Sequence, residues 1–207
     1  MNFLSGIRTK PIRFLRKVVQ QYYKIRLQRL SLWKEIERFK NSVNFDKEYK
    51  HYAKYFILYK TVRNMRPNFV LELGSGISSL IMGFALKENG RGTLISLEEN
   101  ASYGKEVMST VGTFYPIEMR IEASIEGKYN NFTGHQYRNI PQKPYDLIFV
   151  DGPRTDKIDL DAFYVLERCP KAAVIIDNRK RTYTALRSKF PGNFNPVVNI
   201  GYINYDV

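Results

Sequence analysis

The sequence predicts an α/β fold in which a doubly wound, mainly parallel, seven-stranded sheet carries helices on both faces and follows a set of N-terminal helices. The first observation is that strand and helix patterns alternate from Pro67 to the end of the chain. The second is that short continuous apolar runs, at residues 147–150 and 172–176, are typical of strands buried on both faces of a parallel sheet. A length of 207 residues suits one such domain with an extension.

Helices are predicted before the sheet begins. Thr9 is a candidate N-cap, and residues 11–40 contain no Gly and no Pro after Pro11, which favours one long helix or two shorter ones. Asp46 is a plausible N-cap for a second helical segment that runs to about Arg63. Aromatic residues recur in that segment at spacings of three and four, which is typical of a stripe that faces the core.

The elements after Pro67 are set by apolar runs that alternate with amphipathic segments. Residues around Gly201 predict two further short strands, which would form an antiparallel hairpin at one edge of the sheet. The main strands are predicted at residues 69–73, 92–97, 117–121, 146–150 and 172–176, and the helices at residues 78–87, 102–111, 160–167 and 181–188.

The formal net charge of +13 is confined to the first third of the chain. Residues 1–66 hold 17 Lys and Arg against 4 Asp and Glu, whereas residues 67–207 hold 16 of each. On a helical projection the first helical segment has an apolar side and a basic side. We therefore predict a basic amphipathic helical extension over residues 1–45 and a catalytic domain over residues 46–207. Three roles stay open for the extension: packing on its own domain or a dimer partner, docking on an anionic membrane surface, and binding nucleic acid.

Targeting signals and cysteine chemistry limit the location of the protein. The sequence has no uninterrupted apolar segment typical of a secretory signal and no run of 18 apolar residues. Its single cysteine, Cys169, excludes an intramolecular disulfide and a multi-cysteine zinc site, and it suits a reducing compartment. We expect a cytoplasmic location, with a peripheral position at the membrane as the alternative.

A strand, a glycine turn and a helix follow one another over residues 70–79. Gly74 and Gly76 allow close ligand approach at the carboxyl end of the first strand, where open α/β sheets bind ligands. A dinucleotide fingerprint would place its third glycine at Ser79, and a P-loop would need a following Gly-Lys-Ser/Thr, which is missing. The turn therefore predicts a nucleotide-like cofactor of another kind.

An acid followed by x-Gly-x-Gly resembles the first motif of the class I S-adenosylmethionine-dependent methyltransferases, which have a Rossmann-like sheet. Here these residues are Glu72, Gly74 and Gly76, and Ser78 replaces the frequent third glycine of that family. The resemblance implies that the turn from Gly74 through Ser75 to Ser78 binds the methionine part of S-adenosylmethionine. It also implies that Glu72 engages the amino group of the cofactor through water or backbone.

The ends of the second and third strands supply further cofactor candidates. Glu98 ends the second strand 24 residues after Gly74, and a carboxylate there can accept hydrogen bonds from both ribose hydroxyls. Glu99 is the alternative. By resemblance to the same family, Ala123 and Ser124 at the end of the third strand contact the adenine.

Acids that follow the fourth and fifth strands predict the reaction chemistry. Asp151, Asp177 and Asn178 offer hard oxygen ligands suited to Mg²⁺ or a similar divalent cation. The three residues resemble the metal ligands of the cation-dependent O-methyltransferases that act on catechols and caffeoyl groups. That family usually has a lysine where this chain has Arg154, whose permanent charge suits it to hold an anion rather than to act as a base.

The nature of the acceptor stays open at this point. The Asp-Gly-Pro turn at residues 151–153 is similar to glucuronoxylan-type polysaccharide O-methyltransferases, so a sugar hydroxyl is as good an acceptor as a phenol. A metal would lower the pKa of that hydroxyl. Without one, the base would be Asp151 or His135, which we place in a loop over residues 130–143. The predicted partner is therefore a small-molecule or glycan acceptor.

Two rival functions come from the same residues. The turn at Asp151 lacks the [Asp/Asn]-Pro-Pro-aromatic pattern of amino-directed base methylation, and Cys169 precedes Pro170 instead of following a proline. Nucleic acid is therefore the less favoured partner, although the basic N-terminus leaves RNA ribose methylation open. A cofactor-binding scaffold that has lost catalysis is the second rival.

Overall fold

The secondary structure of the protein is given by a computed structural model, which describes residues 9–42, 51–112, 115, 117–153, 157–190 and 198–199. The helices are α1 (Thr9–Gln28), α2 (Leu32–Ser42), α3 (Tyr52–Met65), α4 (Ile77–Asn89), α5 (Ala101–Val111), α6 (Asp161–Arg168) and α7 (Lys180–Lys189). The strands are β1 (Phe69–Leu73), β2 (Thr93–Glu98), β3 (Ile117–Ile121), β4 (Ser124–Tyr129), β5 (Phe132–Tyr137), β6 (Leu147–Val150), β7 (Ile158–Asp159), β8 (Ala173–Ile176) and β9 (Val198–Asn199).

The main sheet has the strand order β3-β2-β1-β6-β8-β9, and every neighbouring pair is parallel. The chain fills one half of the sheet outward from β1 and then starts the other half at β6. The strand order therefore reverses between β1 and β6, which is where sheets of this kind bind ligands. The predicted doubly wound α/β class, with helices ahead of the sheet, is confirmed.

The sheet edge formed by the tail differs from the predicted hairpin. Within the described residues β9 pairs parallel to β8, with Val198 opposite Ile175. The remainder of the predicted hairpin, including Gly201 and the seventh strand, lies outside the described residues.

The predicted loop over residues 130–143 is wrong, because part of this segment is a strand. β4 and β5 form an antiparallel hairpin, and β5 also pairs with β7 to make a second, three-stranded sheet. The glycine that suggested a loop, Gly134, serves a close contact between strands instead. A Cβ on Gly134 would lie 2.0 Å from the carbonyl oxygen of Ile158, so only glycine lets β7 approach β5.

The N-terminal helices are part of the packing of the sheet. α1 packs on α3, and both α2 and α3 pack on α4, which covers one face of the main sheet. The aromatic stripe predicted for α3 lies in this core, where Tyr55 and Tyr59 are buried. α2 contributes three apolar side chains to the same core as the strands, namely Leu32, Ile36 and Phe39. The predicted domain boundary after residue 45 falls in a segment outside the described residues.

Substitution of Phe39 tests whether α2 stabilises the domain. Because Phe39 is fully buried, Phe39→Ala should lower the free energy of unfolding by about 3 kcal/mol in urea denaturation. Lys34→Ala, on the exposed side of the same helix, should change it by less than about 0.5 kcal/mol. Equal effects of the two substitutions would show that α2 does not belong to the core.

Candidate active site

The turns that follow β1 and β6 are in direct backbone contact. A Cβ on Gly74, which has a φ of 90°, would lie 2.8 Å from the amide nitrogen of Gly152 and 2.9 Å from the carbonyl oxygen of Asp151. A Cβ on Gly152 would in turn lie 2.7 Å from the Cα of Gly74. The contact therefore requires glycine on both sides, and it places the Asp151 turn beside the glycine turn.

Glu72 lies beneath the glycine turn and braces it. Its fully buried carboxylate accepts hydrogen bonds from the hydroxyls of Ser78 (2.6 Å), Ser79 (2.5 Å) and Ser96 (2.7 Å). Burial raises the pKa of Glu72 to about 7, although the three hydroxyls favour the charged form. Glu72 and Ser78, both predicted to bind the cofactor, bond to each other and fix β1, β2 and α4 around the turn.

Glu98 links the end of β2 to the same turn. Its Oε2 atom accepts hydrogen bonds from the backbone nitrogen (3.1 Å) and the hydroxyl (2.8 Å) of Ser75. Its Oε1 atom accepts one from the backbone nitrogen of Asn100 at 2.9 Å. These hydrogen bonds hold the Glu98 carboxylate in a defined orientation beside the turn. The phenol of Tyr103 also lies close to the turn, 3.2 Å from where a Cβ on Gly76 would stand.

The other cofactor candidates lie at the adjacent edge of the cleft. The Ser124 hydroxyl at the start of β4 donates to Glu99 Oε2 at 2.5 Å, so the structure brings these two predicted residues together. Ala123 is exposed in the connection from β3 to β4, where its carbonyl accepts a hydrogen bond from the backbone of Arg138. Their roles toward a cofactor stay predictions.

A lysine that the sequence analysis missed enters the site from α3. The Lys54 ammonium forms an ion pair with the Asp177 carboxylate, which follows β8, and both side chains are buried. Burial lowers the pKa of Lys54, while the carboxylates of Asp151 and Glu72 act against that shift. The sequence does carry a signal: Lys54 stands four and eight residues before the buried Leu58 and Val62, on the apolar side of the helix.

Asp151 lies half-buried at the end of β6, and a second missed residue, Arg179, holds its turn in place. The Arg179 guanidinium donates hydrogen bonds to the carbonyl oxygens of Asp151 (2.5 Å) and Pro153 (2.8 Å). It also lies 3.6 Å from the buried carboxylate of Asp159. Burial raises the pKa of Asp151, and the positive charges of Lys54 and Arg179 oppose this shift.

The three predicted metal ligands do not fit a divalent cation as the structure arranges them. The Asp177 carboxylate is already paired with an ammonium, and Asn178 is exposed with a left-handed φ of 52°. In the part of the chain that the structure describes, no group of three or more His, Cys, Asp or Glu side chains is placed to hold a metal ion. The residue beside Asp177 that carries positive charge is Lys54.

Of the remaining catalytic candidates, the structure describes only His135, which takes no part in the contacts of this cluster. His135 lies in β5, where its Nε2 atom is 3.6 Å from Glu126 Oε1 across the hairpin. Arg154 lies outside the described residues. Their predicted roles as base and anion-binding group stay predictions.

The strand order and the glycine contact define a doubly wound α/β protein with a ligand site at its topological switch point. The profile of a family described as a methyltransferase domain matches residues 71–178. This segment is more than half of the chain and runs from β1 to the turn after β8. The chain therefore belongs to the methyltransferase-domain family. No curated protein is similar enough to match.

Three solved structures are similar to this chain at low identity. TomG, an O-methyltransferase from Streptomyces achromogenes involved in tomaymycin synthesis and solved with S-adenosylmethionine, is 18% identical, with a TM-score of 0.40 over 73% of this chain. The match covers 63% of TomG, less than two thirds of its length. A methyltransferase from Geobacter sulfurreducens is 15% identical, with a TM-score of 0.41 over 77% of this chain and 76% of its own. A protein from Klebsiella pneumoniae assigned as an O-methyltransferase is 17% identical, with a TM-score of 0.48 over 90% of this chain and 80% of its own.

The residues at the switch point fit S-adenosylmethionine. The turn at Gly74 and Ser75 is partly exposed and has no side chain at Gly74 to obstruct a ligand. From the residues that the structure describes, Glu98 Oε1 accepts one hydrogen bond, which leaves acceptor capacity for a ribose hydroxyl. A turn without a side chain at Gly74 and a fixed carboxylate therefore lie together at the switch point, as binding of this cofactor would require.

Alanine substitutions at Gly74 and Gly90, compared with each other, separate the effect of losing the backbone contact from the energetic cost of a positive φ. Gly74→Ala should abolish measurable binding of S-adenosylhomocysteine in calorimetry and should destabilise the protein, because the new Cβ collides with the Gly152 turn. Gly90 also has a positive φ, 67°, but a Cβ there meets nothing within 4 Å. Gly90→Ala should therefore cost only the left-handed strain of roughly 1 kcal/mol and leave binding unchanged. Equal losses in both variants would contradict the importance of the contact.

Proposed function

We propose that this methyltransferase transfers a methyl group to a hydroxyl oxygen of a small-molecule or sugar acceptor. The observation that carries the proposal is the position of Asp151, a half-buried residue whose backbone packs against the turn at Gly74 and whose carboxyl pKa is raised by burial. A carboxylate with a raised pKa is a better acceptor for the proton of a hydroxyl than one in water. The resemblance of the turn at residues 151–153 to sugar O-methyltransferases and of its acids to phenol O-methyltransferases supports the same class of acceptor.

The residues of the site divide the work of the reaction. When bound, S-adenosylmethionine supplies an activated methyl group on its sulfonium. Glu98, held by Ser75 and Asn100, accepts a hydrogen bond from the ribose and sets the position of the cofactor. Asp151 takes the proton of the acceptor hydroxyl as the oxygen bonds to the methyl carbon and the carbon–sulfur electron pair stays on sulfur. Proximity and orientation then provide most of the acceleration.

The function is tested first by binding and then by transfer. S-adenosylmethionine and S-adenosylhomocysteine should both bind in calorimetry, and Glu98→Gln should weaken both at least about tenfold, since a charge-assisted hydrogen bond is lost. Glu37→Gln, the same change at an exposed position on α2, should leave binding unchanged.

Transfer of labelled methyl groups to phenol, sugar and RNA acceptors then identifies the acceptor. The proposal predicts transfer to a phenol or a sugar. Labelling of RNA alone would favour ribose methylation, and cofactor binding with transfer to none of the three would favour a scaffold. Failure to bind the cofactor or its demethylated product would contradict the function altogether.

We also propose that α1 docks the enzyme on an anionic membrane surface. Large apolar side chains at spacings of three and four stand between 43% and 52% exposed on this helix, although Leu27 on another side of it is fully buried. We call these residues the α1 stripe: Leu15, Val18, Tyr22 and Ile25. The exposed cations Lys17, Arg26 and Arg29 lie on the same helix or just after it.

Charge favours an anionic membrane as the occupant of the α1 stripe. Residues 9–34 contain eight Lys and Arg and no Asp or Glu. A second copy of the chain on this face would bring two strongly basic surfaces together, whereas anionic lipids satisfy both the apolar side chains and the cations. None of the described helices has the length and apolar character to cross a membrane.

Vesicle sedimentation tests the docking surface. The protein should pellet with vesicles of equal parts phosphatidylglycerol and phosphatidylcholine but not with phosphatidylcholine alone, and binding should weaken with added salt. Val18→Asn combined with Ile25→Asn should reduce binding at least about tenfold, because both apolar contacts are lost. Met65→Asn, also at an exposed apolar side chain, should have no effect. A dimer in solution that the double variant dissociates, without vesicle binding, would instead assign the surface to a second copy.

A further inference from the structure

We propose that Lys54 is the cation of the active site and that this enzyme works without a bound metal, because the lysine ammonium takes the place that a divalent cation would take beside Asp177. The inference rests on the proposed transfer to a hydroxyl and adds to it how the charge of the site is balanced. It concerns a residue of α3, ahead of the segment that the methyltransferase profile matches.

Lys54 is buried among acids at the end of the sheet where the glycine turn lies. Its side chain is 8% exposed and forms an ion pair with Asp177 at the end of β8. The carboxylates of Asp151, after β6, and Glu72, in β1, also act on its charge. Acids from three neighbouring strands thus act on one ammonium, and the acid that it contacts directly is Asp177.

Burial of the Lys54 charge costs free energy of folding. A buried ammonium is strongly unfavourable unless it is paired, and a leucine at this helix position would pack without that cost. Lys54 lies on the same side of α3 as the buried Leu58 and Val62, so its charge is retained in an otherwise apolar row. The charge is compensated by Asp177, whose buried carboxylate pairs with no other cation among the described residues.

The hydrogen-bonding chemistry of the lysine ammonium also supports this role. An ammonium has three N–H donors and no acceptor capacity, so it fills the space beside a carboxylate that a metal would need and repels a divalent ion placed there. Lys54 is therefore a positioning residue: it holds Asp177 and lies close enough to Asp151 to favour the charged form of that base. Arg179 supports the same turn through its two carbonyl contacts.

Manganese binding tests this inference without reference to activity. In paramagnetic resonance titrations the wild-type protein should show no saturable Mn²⁺ binding. Lys54→Met should gain a saturable Mn²⁺ site, because Asp177 loses its paired ammonium, and adding Asp177→Asn to that variant should remove it. Lys54→Arg should behave like the wild type, since it keeps the positive charge. Lys60→Met, an exposed position on the same helix, should not gain binding.

The unaltered protein provides an independent arm that does not depend on how any Lys54 variant folds. Methyl transfer by the wild type should be unchanged after exhaustive chelation. Saturable Mn²⁺ binding by the wild type that Asp177→Asn abolishes, or loss of transfer on chelation with recovery on adding Mg²⁺, would overturn the proposal. Cofactor binding measured on the same samples keeps the outcomes distinct: a protein that binds S-adenosylmethionine but methylates neither a phenol nor a sugar contradicts the proposed acceptor, while the Mn²⁺ titrations still decide the role of Lys54.

Discussion

The contact between Gly74 and Gly152 is the constraint on which the rest of the site depends. Neither residue has room for a Cβ, so the turns after β1 and β6 meet through bare backbone at the point where the strand order reverses. β1 and β6 are hydrogen-bonded neighbours, and this contact keeps the turns that follow them packed against each other. In the reaction that we propose, the donor side and the acceptor side thereby lie at one edge of the sheet.

Around this contact the protein concentrates buried acids, and each is stabilised by different means. Glu72 is surrounded by three hydroxyls, and Asp177 is paired with Lys54. Asp159 accepts a hydrogen bond from Thr182 and lies near Arg179. Only Asp151 combines a raised pKa with partial exposure and two nearby cations. That difference is why we assign the proton transfer of the proposed reaction to Asp151.

The sequence was sufficient to predict those parts of the structure that depend on local residue patterns. β1 and β3 begin and end at the predicted residues, because each is a short run with turn signals on both sides. Gly74 and Gly76 predicted a nucleotide-like cofactor from a local backbone requirement, and the resemblance of the motif from Glu72 to Gly76 to class I methyltransferases narrowed it to S-adenosylmethionine. The β4–β5 hairpin was missed because Gly134 suggests a loop, although its lack of a side chain serves a contact with a strand far along the chain.

Residues whose role depends on distant partners could not be predicted in the same way. Lys54 and Arg179 acquire their roles only when α3 and the start of α7 are folded against the ends of β6 and β8. The prediction that Asp151, Asp177 and Asn178 bind a metal took only their oxygen atoms into account. It left out Lys54, whose ammonium pairs with Asp177. The basic N-terminus also divides into parts that composition does not distinguish, since α2 enters the core while α1 presents an apolar stripe outward.

A crystal structure of the protein with S-adenosylhomocysteine would show whether the turns at Gly74 and Gly152 form the cofactor site. We expect the ribose hydroxyls to lie within hydrogen-bond distance of Glu98 and the amino-acid end of the ligand to lie on the turn at Gly74. Asp151 should face the sulfur across an open acceptor site, and Lys54 should still be paired with Asp177. A ligand bound away from the Gly74–Gly152 contact, or one whose ribose does not touch Glu98, would contradict this assignment of the cofactor site.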